Sequence, residues 1–228
     1  MHIGLIGGIG PAATIAYYSR LVTEFKQANV PLRLTIAHAE IALLAANAGA
    51  NKKREQAKIF ANHLDQLAGA GCDIAMITAM TGHFCFDETE QLSPIPLINA
   101  TKLVDDYCDD NNIRSVGLLG SPPVLASHLF GLLKSPNSIV PNKDIEKLGA
   151  AYMELAHSGF CSDDNREFLI NAGATMVSEQ GAEAVLLAGT DLGLAFDGQQ
   201  TSYPVIDALE VHVAALLKLA STNSSDKA

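Results

Sequence analysis

Three stretches of this chain recur, in the same order and at nearly the same spacing. That repeat limits the possible folds more than any other feature. Gly4-Leu5-Ile6-Gly7 returns as Gly117-Leu118-Leu119-Gly120, an offset of 113. The segment Gly71-Cys72-Asp73-Ile74-Ala75-Met76-Ile77-Thr78-Ala79 returns as Gly181-Ala182-Glu183-Ala184-Val185-Leu186-Leu187-Ala188-Gly189, an offset of 110. Ile95-Pro96-Leu97-Ile98-Asn99 returns as Tyr203-Pro204-Val205-Ile206-Asp207, an offset of 108. Short apolar strands converge by chance one at a time. Three in the same order at close offsets point to a duplicated unit. The expected organisation is a first lobe of residues 1–100 plus 208–228 and a second of 101–207, with the last helix crossing back to the first lobe.

Hydropathy alternates short apolar runs with longer amphipathic ones. The strands expected are Ile3–Ile6, Leu34–Ala37, Ile74–Ile77, Ser115–Leu119, Ala184–Leu187 and Val205–Ile206. The helices expected are Ala12–Gln27, Lys52–Ala68, Ala100–Asn111, Lys143–Ala156, Asp163–Gln180 and Asp207–Leu219. In the second of these, Ile59, Phe60, His63, Leu64 and Leu67 share a face, and Gly69 and Gly71 mark its end. Strands alternating with helices make an α/β protein, here two pseudo-symmetric lobes, each a parallel sheet flanked by helices. Ligands of open α/β sheets bind beyond the carboxyl ends of the strands. In a duplicated protein those ends can share an interlobe cleft, so the residues after Ile6, Ile77, Leu119 and Leu187 are the ones to inspect.

Composition narrows the partners. The apolar fraction is 48%, enough for a real core. Fifteen Lys and Arg against twenty-five Asp and Glu leave a net charge of −10, with no basic block, which argues against nucleic acid and anionic membrane. The start of the chain reads as a strand entering a glycine turn, not as a leader, and no apolar run reaches membrane-spanning length. A cytoplasmic location is expected. Four cysteines, Cys72, Cys85, Cys108 and Cys161, form no CxxC pair, which speaks against a zinc site and for reduced thiols. No metal is expected. The small, polar tail Ser221–Ala228 is expected to fray.

Four motifs fall at the expected strand ends. In Gly7-Gly8-Ile9-Gly10-Pro11-Ala12-Ala13-Thr14 a strand turns into a helix, and amides at Gly8 and Gly10 can meet a carboxylate or phosphate. The dinucleotide fingerprint fits poorly, because Ala13 stands at the third glycine and no acidic residue closes the second strand on time. Thr78-Ala79-Met80-Thr81-Gly82-His83 offers the Thr81 hydroxyl as a cap or ligand contact, and His83 as an acid–base group or a packed structural imidazole. Its repeat partner, Ala188-Gly189-Thr190-Asp191-Leu192-Gly193, offers Thr190 and Asp191, the latter also readable as a helix cap. Gly120-Ser121-Pro122-Pro123 repeats the glycine turn, with Ser121 as ligand contact or cap.

Taken together, these motifs resemble the aspartate/glutamate racemase superfamily, in particular its aspartate racemase-like branch. The Gly7–Thr14 segment is like that branch's opening signature. Thr81-Gly82-His83 is similar to the end of its first active-site motif, Cys-Asn-Thr-Ala-His, and Thr190-Asp191 to the end of its second, Gly-Cys-Thr-Glu. The resemblance implies two α/β lobes, amino-acid racemisation (an isomerase of amino acid metabolism) without a cofactor, and a homodimer. It also implies two cysteines, one ending the equivalent strand of each lobe, that exchange the α-proton on opposite faces. At those places this chain has Ala79 and Gly189, and Met80 where the family has asparagine. Neither side chain carries a proton. General acid–base groups contribute about 10²–10⁴-fold each, so loss of both removes two-thiol chemistry. The branch usually places Asn and Arg after the second strand to hold a dicarboxylic acid; here the stretch Ala37–Leu44 stands there, with Lys52, Lys53 and Arg54 following.

The expectation is therefore a racemase-family protein that binds a small carboxylate or amino acid through Gly8, Gly10, Thr81, Ser121 and Thr190, with two-thiol racemisation lost. One alternative is an active isomerase or lyase using His83 and Asp191, one from each lobe. Another is a non-catalytic binding or regulatory module.

Overall fold

The computed structural model describes residues 1–225; residues 226–228, the end of the tail expected to fray, lie outside them. The chain divides into two compact units, Met1–Ala100 together with the chain from His212 onward, and Thr101–Val211. The first contains β1 (His2–Gly7), α1 (Pro11–Gln27), β2 (Arg33–His38), α2 (Ile41–Gly49), α3 (Lys53–Gly69), β3 (Ile74–Ile77), α4 (Phe86–Glu90) and β4 (Leu97–Ile98). Helix α5 (Ala100–Asp110) leads on into the second, with β5 (Ser115–Leu119), α6 (Pro122–Ala126), β6 (Asn137–Ile139), α7 (Ile145–Ser158), α8 (Asp163–Gln180), β7 (Ala184–Leu187), α9 (Gly193–Phe196) and β8 (Val205–Asp207). Helix α10 (Ala208–Ser225) ends the described chain.

Each unit holds one four-stranded sheet, ordered β2-β1-β3-β4 in the first and β6-β5-β7-β8 in the second, and every pair is parallel. The registers reproduce the sequence offsets. Gly4 pairs with Ala75 and Gly117 with Val185, which matches position 4 to 117 and 75 to 185. Ala75 pairs with Leu97 and Val185 with Val205, which matches 97 to 205. The ladder ends repeat too: Asp73 N–H donates to His2 O and Glu183 N–H to Ser115 O, while Ala75 and Val185 N–H donate to Pro96 and Pro204 O. The duplication read from the sequence is thus a duplication of fold.

The central strands explain why the matching segments are so apolar. All residues of β1 and β7 are buried, as are all but the first of β3 and β5. A parallel strand covered on both faces reads as a continuous apolar run. Edge strands β2 and β6 are largely exposed or half-buried, and β6 is short and polar, which is why no hydropathy signal announces it. Glycine at the matching positions 4 and 117 lets a helix lie close to the sheet. A Cβ on Gly4 would sit 3.0 Å from Leu67 Cδ1 of α3 and 3.2 Å from Ile74 O; one on Gly117 would meet Met176 of α8 at 2.9 Å. Neither backbone is left-handed, so these glycines serve proximity and not a turn.

The structure adds or moves several elements. Helices α2, α4, α6 and α9 and strands β4 and β6 were not expected as such; most are single short turns or two- to three-residue ladders. In α3 the buried face is Gln56, Ala57, Phe60, Leu64 and Leu67, so Ile59 and His63 fall at its margin. Gln56 is buried because Asn47 Nδ2 of α2 donates to its Oε1 at 2.9 Å. The stop of α3 belongs to Gly71 alone, at φ 80°, whose neighbour Cys72 donates its N–H to Leu67 O at 3.0 Å. Gly69 is still helical. Helix α10 continues past the expected end at Leu219 to Ser225. No described helix is long and apolar enough to cross a membrane.

Gly4→Val tests the close strand–helix approach. Overpacking of this kind costs about 1–3 kcal/mol, read as a lower urea midpoint with an unchanged slope. An unshifted midpoint would show that Leu67 yields freely.

Candidate active site

The carboxyl ends of the central strands carry the motifs. After β1, Gly8 (φ 81°) and Gly10 (φ 109°) make the left-handed bends that no side chain adopts easily, and Pro11 opens α1. Inside this turn the Gly8 N–H donates to Thr14 Oγ1 at 2.8 Å, and Thr14 Oγ1 donates to Gly10 O at 3.0 Å. The Gly8 amide, expected to face a ligand, is engaged within its own motif. What Gly8 contributes is the turn itself: a Cβ there would lie 2.5 Å from Ala39 O.

After β3, Thr78 ties the two central strands together, because its N–H and its hydroxyl both donate to Ile6 O, at 3.1 and 3.0 Å. Ala79 follows, buried, and the chain enters a tight 3₁₀ turn over Met80–Cys85, with Gly82 N–H donating to Ala79 O at 2.9 Å. Gly82 lets this turn press on the core, since a Cβ would meet Ile77 Cγ2 at 2.7 Å. Thr81 is half-buried on the turn.

His83 is fully buried, and both ring nitrogens are occupied by the backbone. Nδ1 lies 3.1 Å from Ala79 O, and Ala100 N–H donates to Nε2 at 3.1 Å. These partners assign the proton to Nδ1. The same residue is held at its carbonyl, which accepts from His212 Nε2 at 3.0 Å, and His212 Nδ1 accepts from the Tyr17 hydroxyl at 2.5 Å. The result is a buried network of Tyr17, His212, the Ala100 backbone, His83 and the Ala79 carbonyl. It joins α1, α10, the start of α5 and the turn after β3. Tyr17 stacks on His212 and His83 on Phe86. Burial pushes the His83 imidazole down to about 4; burial, and then His83 nearby, push His212 down to about 3. His83 is thus placed as a neutral clamp on the residue at the end of β3, with no ring nitrogen left to exchange a proton with a ligand. Sequence inspection singled out His83 but missed its partners, because Tyr17 and His212 stand 195 residues apart.

In the second unit the turn after β5 packs on the end of β7. A Cβ on Gly120 would touch Ala188 C and Gly189 N at 3.3 Å. Ser121 is buried at the start of α6 and its side chain makes no cap, so the capping alternative falls away. Ala188 lacks the hydroxyl of its counterpart Thr78, and its N–H turns back to Leu186 O instead of reaching across to β5. Gly189 matches Ala79, as Leu192 N–H to Gly189 O at 2.9 Å matches Gly82 N–H to Ala79 O. Thr190 and Asp191 are buried. Asp191 is not the cap of α9, a place taken by Leu192. Its Oδ2 accepts from the Tyr152 hydroxyl of α7 at 3.0 Å. Burial first, then the Asp191 charge, raise the Tyr152 phenol well above its ordinary range, so it stays a neutral donor. Tyr152 escaped the sequence reading because it sits on an ordinary amphipathic helix, far from every motif.

None of the thiols stands at position 79 or 189; the nearest in sequence, Cys85, closes the turn after β3. All four cysteines are free and buried. Burial raises each, Cys85 and Cys108 to about 11, which keeps them protonated and unreactive. Lys52, Lys53 and Arg54 are exposed at the start of α3.

This geometry, two equivalent sheets with their motifs at the strand ends, can be compared with known proteins. A family described as Asp/Glu/Hydantoin racemase matches residues 6–216. The chain belongs to the Asp/Glu/Hydantoin racemase family. An aspartate racemase homologue from Pyrococcus horikoshii is 27% identical over 96% of this chain and 99% of its own, with a TM-score of 0.79. The aspartate racemase of Picrophilus torridus shares the fold at 21% identity and a TM-score of 0.79, over 97% of this chain and 95% of its own. So does a Francisella tularensis glutamate racemase solved with D-glutamate, at 14% identity and a TM-score of 0.70, over 98% and 82%. The expected fold class and family resemblance both hold.

The buried imidazoles make a signed prediction for this family member. Unfolded, each histidine titrates near 6.5; folded, His83 and His212 resist protonation until about pH 4 and 3. Between these limits the unfolded chain binds more protons, so stability falls as pH drops below about 6.5. The slope contributed is about 1.4 kcal/mol per pH unit for each imidazole. Urea unfolding between pH 7 and 4.5 should show this fall, and His212→Gln should flatten it. An equally steep fall in the variant would exclude His212 as a source.

Proposed function

We propose that this racemase-family protein binds a small carboxylate or amino acid at its strand ends and does not racemise it by the two-thiol route. One observation carries the reading: the equivalent positions that end β3 and β7 are Ala79 and Gly189, and neither has an atom that can take up or release a proton. His83 does not supply the missing base, because both its nitrogens bond to backbone. The four thiols are buried and protonated, and none stands at position 79 or 189, although Cys85 closes the turn that follows Ala79. In the first unit the amides at the Gly10 turn and the Thr81 hydroxyl, and in the second the hydroxyls of Ser121 and Thr190, are the groups suited to a carboxylate, since each is a neutral donor. The amino-acid character of the ligand rests on the relatives, among them an aspartate racemase and a glutamate racemase holding D-glutamate.

The test is α-proton exchange in heavy water over both enantiomers of aspartate, glutamate and a panel of small amino acids, with equilibrium binding followed alongside. Saturable binding without deuterium incorporation above the buffer rate is expected. Incorporation at catalytic rates would overturn the reading.

A further inference from the structure

Gly189 has no conformational reason to be glycine. The glycines in the left-handed region are Gly8, Gly10, Gly71, Gly131, Gly159, Gly181 and Gly198, and Gly189 is not among them. Its reason is space. A Cβ built on Gly189 would collide with one edge of the Tyr152 ring, closest to Cε2 and 2.8 and 2.9 Å from Cζ and Cδ2. Nor can the ring simply swing aside. Tyr152 is buried on the inner face of α7 beside Leu148 and Leu155, and its hydroxyl is anchored on Asp191. One turn earlier on the same helix, Gly149 brings α7 against α6 so closely that a Cβ there would lie 2.8 Å from Pro122 Cγ. Residues three apart share a helix face. The contact at Gly149 therefore sets the depth to which Tyr152 reaches. The equivalent position in the first unit, Ala79, carries a Cβ, so the close approach belongs to the second unit only.

We propose that Tyr152 is the residue that determines what chemistry the end of β7 can offer. Its ring occupies the volume a side chain at position 189 would need, and its hydroxyl fixes Asp191, so this strand end presents a phenol–carboxylate pair in place of a strand-borne acid–base group. Tyr152 acts here as a positioning and specificity-determining residue. The proposal rests on the reading of positions 79 and 189 given under the proposed function.

The experiment compares Gly189→Cys in three backgrounds: the parent, Tyr152→Phe and Tyr152→Ala. In the parent and in Tyr152→Phe, which keeps the ring, Gly189→Cys should lower the thermal midpoint by about 5 °C, the shift expected when overpacking meets a domain of this size. In Tyr152→Ala the same substitution should cost nothing further. Gly189→Ala and Tyr152→Leu, smaller changes of each kind, give the same comparison if a larger one fails to fold. An equal loss in all backgrounds, or no loss in the parent, would overturn the role of Tyr152. A second readout separates this from the proposed function. With Ala79→Cys added, the Gly189→Cys, Tyr152→Ala chain should acquire α-proton exchange on aspartate above the parent. No exchange, with the stability coupling intact, counts against the two-thiol reading of positions 79 and 189 and leaves the Tyr152 assignment standing.

Discussion

Everything at the candidate site depends on pairing two central strands that are buried on both faces. β1 with β3 and β5 with β7 form the middle of their sheets, and nearly every residue in them is inaccessible to solvent. A one-residue slip in such a pair would strand apolar side chains and break the seats that Gly4 and Gly117 provide for α3 and α8. The register is therefore tightly held. Because the strands are parallel, they end together, and the first residues beyond them are the ones that carry the motifs: Gly8 and Thr78 in one unit, Gly120 and Ala188 in the other.

From that common frame the two units diverge, and the divergence is chemical. In the first, the hydroxyl of Thr78 closes the strand ends, and the buried imidazole network from Tyr17 to Ala79 locks the following turn. Such a network is stabilising only while every member is satisfied, which here requires both imidazoles to stay neutral. In the second, alanine replaces that threonine, the strand ends in a tighter reverse turn, and a helix lends a tyrosine to the space beside glycine. One strand end is thus held by a threonine hydroxyl and neutral imidazoles; the other is bordered by a phenol and a carboxylate from different elements.

That asymmetry clarifies what family membership does and does not carry. The fold follows from strand register and helix packing, and these are shared with racemases at low identity. Chemistry follows from a few side chains at the strand ends, and a fold hosts whatever those side chains allow. Here those places hold Ala79 and Gly189, whose side chains carry no ionisable atom.

Much of this was legible in the sequence. The duplication appeared as three offsets, because equivalent strands need the same apolar length and the same glycine seats. The strand-end motifs were visible because glycine, proline and threonine mark turns by their own backbone preferences. Elements with weak local signals escaped: β6 has three residues and a polar surface, and α2 has only nine residues. The buried polar network escaped altogether. Nothing local to Tyr17, Ala100 or His212 says that they meet, and the lone His83 was equally consistent with a clamp and a catalyst. So too with Tyr152, whose helix is ordinary and whose target lies 37 positions on. The sequence by itself determined the repeated α/β frame and the turns that follow its central strands, since periodicity and turn chemistry are local properties. Only the tertiary structure decided which groups stand at those places and in what protonation state, because burial and long-range contacts set both.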